Sequence, residues 1–193
     1  MEVKVIGVVG AGQMGSGIAQ VAAVAGYGVV LVDVAESFLE RGLASIRRSL
    51  GKFLEKGRIT PEAHEEALGR ESARACAVED LKEADLIVEA IVEDEGEKRR
   101  LFERLGALAK PEAGRRATPP SPPWPADSGR PQRFIGMHFF IRPAPSCPWW
   151  EVIREATAPE TGIWCGAGPA DGEDPPGGPR TTRALSPTAS SCP

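Results

Sequence analysis

The 193-residue sequence predicts an α/β protein built on a doubly wound, mainly parallel sheet. Three observations carry that expectation. Short apolar runs rich in β-branched residues alternate with longer stretches of helical length, the order that winds a parallel sheet. The runs have no polar alternate face, as strands covered by helices on both sides require. Three glycines, Gly10, Gly12 and Gly15, fall where the first strand turns into the first helix.

From the N-terminus, residues 3–9 form the first apolar run and predict a buried strand. Residues 13–25 have helical length and no proline, and residues 28–32 predict the second strand. Residues 35–56 read as a long amphipathic helix. At Thr60-Pro61-Glu62-Ala63 a hydroxyl capable of capping precedes a proline at the first helical position, which predicts a short helix to about Leu68. Residues 85–90 predict another buried strand. Residues 97–109 predict a charged surface helix with Leu101, Leu105 and Leu108 on one face.

After Lys110 the composition changes. Of 18 prolines only Pro61 precedes it, and all four tryptophans follow it, whereas no lysine does. Beyond Pro111 only residues 134–140 and 151–154 have the composition of folded segments. Residues 117–125 and 166–179, rich in proline and glycine, predict irregular chain.

Composition narrows the class of function. A net charge of -4 and a pI near 5.4 give no basic field, so neither nucleic acid nor an anionic membrane is an expected partner. The longest apolar region, residues 18–34, is interrupted by Gln20, Gly26 and Gly28 and falls short of the roughly 20 residues a membrane helix needs. Met1 leads directly into the first strand without a basic leader, so a cytoplasmic location is expected. Cys76, Cys147, Cys165 and Cys192 have no CxxC spacing and no accompanying histidine cluster, so no metal is expected.

Gly10-Ala11-Gly12-Gln13-Met14-Gly15 matches GxGxxG between a strand and a helix, the context in which that pattern grips a dinucleotide. Gly10 permits the tight turn, Gly12 lets backbone approach a pyrophosphate, and Gly15 lets the helix pack on the sheet. Amides at the helix start, from Gln13 and Met14, then face the phosphates. Asp33 ends the second strand, where a carboxylate accepts hydrogen bonds from a ribose and repels an added 2′-phosphate. With Val34 and Ala35 following it in place of an arginine, the expected cofactor is NAD and the fold a Rossmann type.

With these residues in place, the chain resembles the 3-hydroxyacyl-CoA dehydrogenase family. Residues 10–19, GAGQMGSGIA, are close to the family's opening, and residues 85–93, DLIVEAIVE, resemble its fourth-strand segment, with Lys98, Leu101 and Phe102 at family spacing. Residues 130–140, RPQRFIGMHFF, resemble the segment that carries the family's catalytic histidine. The resemblance implies NAD-dependent oxidation of an (S)-3-hydroxyacyl-CoA to the 3-ketoacyl form. It assigns His138 as the base and Glu151 as the carboxylate that orients it, an arrangement suited to taking a hydroxyl proton near neutral pH. It further implies that Glu93 and Lys98 contact the nicotinamide half of the cofactor, that Ser45 and Lys52 lie along the coenzyme A path, and that the enzyme is a homodimer. His64, in a charged helical stretch, is expected to be solvated.

The sequence also departs from the family pattern. The family has SNTS where residues 117–125 read ATPPSPPWP, an asparagine where Ile141 stands, and a later catalytic asparagine, yet no asparagine occurs in this chain. In a shifted reading frame, residues 117–124 are compatible with SNTSLPPLA, residues 145–149 with LMPLV and residues 179–193 with EDHPGFIANRLLMP, all family-like. Segments from about Gly114 to Arg133, Ile141 to Trp150 and from Gly162 onward are therefore expected to be out-of-frame translation. The expected organisation is an NAD-binding domain over residues 1–160. Residues 161–193 are then a low-complexity tail in place of the start of the family's C-terminal helical dimerisation domain, which is missing. Two further functions remain open: a non-catalytic dinucleotide-binding module, and a dehydrogenase of another small hydroxy acid.

Overall fold

The computed structural model describes residues 3–70, 73–75, 77–108, 114–117, 134–139, 150–154 and 180–184, with side chains described over 3–70 and 77–108. Eight strands form one sheet: β1 (Val5–Val9), β2 (Gly28–Val32), β3 (Ala73–Ala75), β4 (Leu86–Glu89), β5 (Gly114–Ala117), β6 (Phe134–Phe139), β7 (Trp150–Arg154) and β8 (Arg180–Ala184). Their spatial order is β3-β2-β1-β4-β5-β6-β7-β8. Every pairing from β3 to β6 is parallel, and β6–β7 and β7–β8 are antiparallel.

The expected mainly parallel, doubly wound sheet is thus the observed one, and the strands show why. Because successive strand residues point to opposite faces, each apolar run supplies two cores. Ile6 and Val8 of β1, Val29 and Leu31 of β2, and Leu86 and Val88 of β4 pack with helices α1 (Gln13–Val24), α2 (Glu36–Glu55) and α3 (Pro61–Arg70). Val9, Val32 and Ile87 pack on the other face with Leu101, Phe102 and Leu105 of α4 (Glu95–Leu108) and with Leu81 of a short 3-10 helix, Val78–Glu83. α1 reaches the sheet closely because its inner face is small, with Gly15, Ser16, Ala19, Ala22 and Ala23 buried.

Local chemistry sets the helix starts. Thr60 caps α3, its hydroxyl accepting the N–H of Ala63 at 3.2 Å. α4 starts two residues earlier than the expected residue 97 because Asp94 caps it, accepting the N–H of Glu97 at 2.9 Å. α3 runs on to Arg70, whose guanidinium reaches Glu66 at 3.0 Å and the carbonyl of Ala23 at 3.4 Å.

Four elements depart from the expectation. β3, the 3-10 helix, β5 and β8 occur where no strand or helix was expected, the last two beyond Pro111 and outside the two segments expected to be folded there. β5 (Gly-Arg-Arg-Ala) and β3 (Ala-Arg-Ala) have no apolar run to announce them; ladder pairing with β4 and β2 makes them strands. β8 holds two threonines, which suit an extended chain, and pairs with β7. His64 is also more covered than expected, its side chain 15% exposed and Nδ1 3.2 Å from Glu65 Oε1.

Candidate dinucleotide-binding site

The site is built where β1, β2 and β4 end, at the carboxyl edge of the sheet, the place at which open parallel sheets bind ligands. The chain leaves β1 at Gly10, whose φ of 103° lies in the left-handed region that glycine tolerates. A side chain there would also meet the carbonyl oxygen of Ala90 at 2.5 Å. The turn is fastened on both flanks, Gly10 N–H donating to the Val32 carbonyl at 2.7 Å and Ala90 N–H to the Val9 carbonyl at 2.8 Å.

The other two glycines separate cleanly by role. A Cβ on Gly15 would sit 1.7 Å from the Gly10 carbonyl oxygen, so this glycine allows the helix to dock on its own turn. A Cβ on Gly12 would meet no atom of the described residues within 4 Å. Gly12 is therefore free of any packing demand, and it faces the cavity that a pyrophosphate would enter. Among the described residues no side chain caps α1 at Gly12, which leaves the positive end of the helix and its first-turn amides for an anion. Gln13 lines the cavity with Gly10, Ala11 and Gly12; Met14 is half-buried and does not line it.

Asp33 is more constrained than its expected role requires. Its Oδ2 accepts the N–H of Ala11 at 2.6 Å and its Oδ1 the N–H of Val34 at 2.7 Å, so the carboxylate ties the end of β2 to the glycine turn. Each oxygen keeps lone-pair capacity for a ribose hydroxyl. Ser16, buried in α1, donates from Oγ to the Ala11 carbonyl at 2.8 Å and braces the same turn.

The cavity has a volume of about 970 Å³, within the usual range for a cofactor site. On the β2 side its wall is Val34, Phe38 and Arg41, with the Arg41 guanidinium 4.6 Å from the Phe38 ring centre and its Nε donating to the Ser37 carbonyl at 3.1 Å. Ser45 also lines the cavity, whereas Lys52 is exposed further along α2 and does not. Across the cavity stand Ala77, Val78 and Glu79, then Arg104 of α4, whose guanidinium lies 2.6 Å from Glu79. That hydrogen bond holds the Glu79 carboxyl below the ordinary carboxylate range.

At the β4 side the wall is Ala90, Ile91 and Val92, and behind it lies an ionic cluster. Lys98, 2% exposed, donates from Nζ to both oxygens of Glu93 at 2.9 Å and stands 3.4 Å from Glu89 Oε2. Glu89 Oε1 accepts the N–H of Ile91 at 2.7 Å. Burial pushes the Glu89 carboxyl up to about 7, with the charge of Lys98 opposing the rise. The expected pair Glu93 and Lys98 is thus brought together beside the 90–92 wall, with the Lys98 side chain buried and that of Glu93 exposed.

His138 and Glu151 are directly opposed in the antiparallel register of β6 and β7. Directly opposed positions of such a pair share a face with Cβ atoms roughly 5 Å apart. The side chains of both lie outside the described residues. No group of three or more potential metal ligands occurs among the described residues.

Sequence reasoning missed Glu89, Ser16, Phe38 and Arg41. A carboxylate inside an apolar strand run was the one available signal for Glu89; the others carried none.

The comparisons with known proteins agree with this geometry. The family model for the 3-hydroxyacyl-CoA dehydrogenase NAD binding domain matches residues 5–163. A 3-hydroxybutyryl-CoA dehydrogenase of Bradyrhizobium diazoefficiens is 44% identical over 155 residues, which are 79% of this chain and 52% of that protein. A relative in Deinococcus radiodurans, named a probable 3-hydroxybutyryl-CoA dehydrogenase, is 48% identical over 151 residues, 77% of this chain and 53% of its own length. The chain spans about half the length of the curated relatives it matches. Among solved structures, the (S)-3-hydroxybutyryl-CoA dehydrogenase of Ralstonia eutropha superposes with a TM-score of 0.78 at 32% identity, covering 83% of this chain and 57% of that one. The 3-hydroxybutyryl-CoA dehydrogenase of Escherichia coli K12 gives 0.79 at 33%, covering 86% and 36%. The residues present fit NAD: an open Gly12, an uncapped helix start and a carboxylate at the end of β2.

Proposed function

The chain belongs to the 3-hydroxyacyl-CoA dehydrogenase family through that family's NAD-binding domain, and from this premise we propose that it oxidises an (S)-3-hydroxyacyl-CoA to the 3-ketoacyl thioester. The observation that carries the catalytic part is the register that sets His138 opposite Glu151 on neighbouring strands. When bound, NAD supplies the acceptor for the hydride at the substrate's third carbon. His138 takes the hydroxyl proton as that hydride departs. Glu151 holds the histidine in the tautomer that accepts it and stabilises the imidazolium that results. Glu93 and Lys98 bound the nicotinamide side, and Gly10, Gly12, Gln13, Met14, Gly15 and Asp33 hold the other half of the cofactor.

The substrate's coenzyme A portion is assigned to α2. Arg41, Ser45, Arg48 and Lys52 recur there at intervals of three and four, the spacing of one helix face, and Ser45 reaches the cavity. The proposed state is a cytoplasmic homodimer. Its domain organisation is an NAD-binding domain over residues 1–160 with residues 161–193 as an out-of-frame tail. Intact-protein mass spectrometry tests the frame assignment, and a mass equal to that of this sequence defeats it.

The activity is tested by following NADH absorbance with 3-hydroxybutyryl-CoA and with free hydroxy acids. Turnover of the thioester alone is expected, and His138→Ala should abolish it while leaving NAD affinity within about twofold. Turnover of free hydroxy acids instead assigns a different dehydrogenase, and NAD binding without turnover makes the chain a binding module.

A further inference from the structure

Glu89 is a fully buried carboxyl that the proposed reaction does not use. It ends β4, in register with Val9 of β1, one residue before the turn that leads to the cavity. Its two oxygens do different things. Oε1 accepts from the Ile91 amide at 2.7 Å and so pins the wall formed by Ala90, Ile91 and Val92. Oε2 lies 3.4 Å from Lys98 Nζ, the ammonium that Glu93 also engages at 2.9 Å. One ammonium therefore stands between a buried carboxylate and an exposed one.

Sheet order fixes what this cluster faces. Asp33 at the end of β2 marks the adenosine side and the glycine turn after β1 the pyrophosphate, so a dinucleotide continues across the end of β4 with its nicotinamide. With both carboxylates ionised and Lys98 protonated, the cluster carries one net negative charge. The nicotinamide ring is cationic when oxidised and neutral when reduced, so only the oxidised form gains from that charge.

We infer that Glu89 is a positioning residue that keeps Lys98 and the 90–92 wall in place and, through its charge, makes the site favour the oxidised cofactor over the reduced one. This rests on the NAD reading above. At the separation of a second layer of side chains, one charge in surroundings between protein and water in polarity is worth about fivefold in affinity.

The experiment measures the affinities of the full chain for NAD and for NADH, by calorimetry and by nucleotide fluorescence, in buffer alkaline enough to ionise Glu89. In Glu89→Gln the amide oxygen can still accept the Ile91 N–H while the charge is removed. NAD affinity should fall about fivefold and NADH affinity should change less than twofold. Glu89→Gln combined with Lys98→Met returns the cluster to one net negative charge and should restore the ratio of the two affinities, even if both weaken. It also supplies the measurement if the single variant fails to fold. A purely structural Glu89 would weaken both forms alike and leave their ratio unchanged in Glu89→Gln; that result, or a ratio that falls in the single variant and does not recover in the double one, overturns the inference. A parent chain that binds neither nucleotide defeats the NAD reading itself, whereas binding with an unchanged ratio in Glu89→Gln defeats this inference alone.

Discussion

A methyl group at position 15 would lie 1.7 Å from the Gly10 carbonyl oxygen, well inside any tolerable contact, and the atom it strikes is backbone that cannot rotate away. Gly15→Ala must therefore push α1 off the sheet or reshape the turn. We expect at least about 3 kcal/mol of lost stability in chemical denaturation together with loss of NADH fluorescence enhancement. Gly12→Ala should behave differently, because its Cβ meets no atom of the described residues: the fold should keep its stability within about 0.5–1 kcal/mol, while NAD affinity falls at least tenfold as the methyl occupies the phosphate's approach. Equal destabilisation by both variants would show that the two glycines do not divide the work in this way. The roles of Gly10, Gly12 and Gly15 were legible in the sequence because each follows from a missing side chain: a left-handed turn at Gly10, close docking of the helix at Gly15 and an open approach at Gly12. The bond from Ala11 to Asp33 was not, because it joins positions 22 residues apart that only the finished sheet brings together.

At the scale of elements, legibility followed apolar content. β1, β2 and β4 announce themselves because each must fill two cores at once, which leaves no room for polar residues. The exception is Glu89 at the end of β4, where the strand rule and the observed carboxylate conflict; such a conflict marks a position with a task besides packing. α4 illustrates the opposite case. Most of its surface is charged, and only Lys98, Leu101, Phe102 and Leu105 are buried, yet Phe102 at 0% exposure fills the space between helix and sheet. Phe102→Ala should cost about 3–5 kcal/mol and loosen the wall that carries Lys98. Thermal melts would show a large drop, and a loss below about 1 kcal/mol would mean that the second core is not packed as described. β3 and β5 were illegible for a physical reason: strands recruited by a neighbour's free edge need no apolar run of their own.

At the scale of the whole molecule, Glu89 should leave a signature in the pH dependence of stability. Its carboxyl is raised from 4.5 to about 7 in the folded chain, so between these values the native state binds more protons than the unfolded one. Stability from this group is then fully present below 4.5 and is lost as pH rises to about 7, with no further change above. The shift corresponds to roughly 3 kcal/mol across the window. Urea denaturation of the parent and of Glu89→Gln at a series of pH values isolates the effect, because glutamine does not titrate. The difference between the two stabilities should move against the parent as pH rises through the window; parallel profiles would show that Lys98 keeps Glu89 ionised throughout.

Among the described residues, the cavity lining runs from Val9 to Arg104, and the residues that fasten the glycine turn lie within that stretch. His138 and Glu151 come later in the chain, on strands that extend the sheet outward from β5. The nucleotide cradle and the proposed acid–base pair are therefore carried by separate, successive stretches of the chain, so substitutions in one leave the covalent makeup of the other untouched.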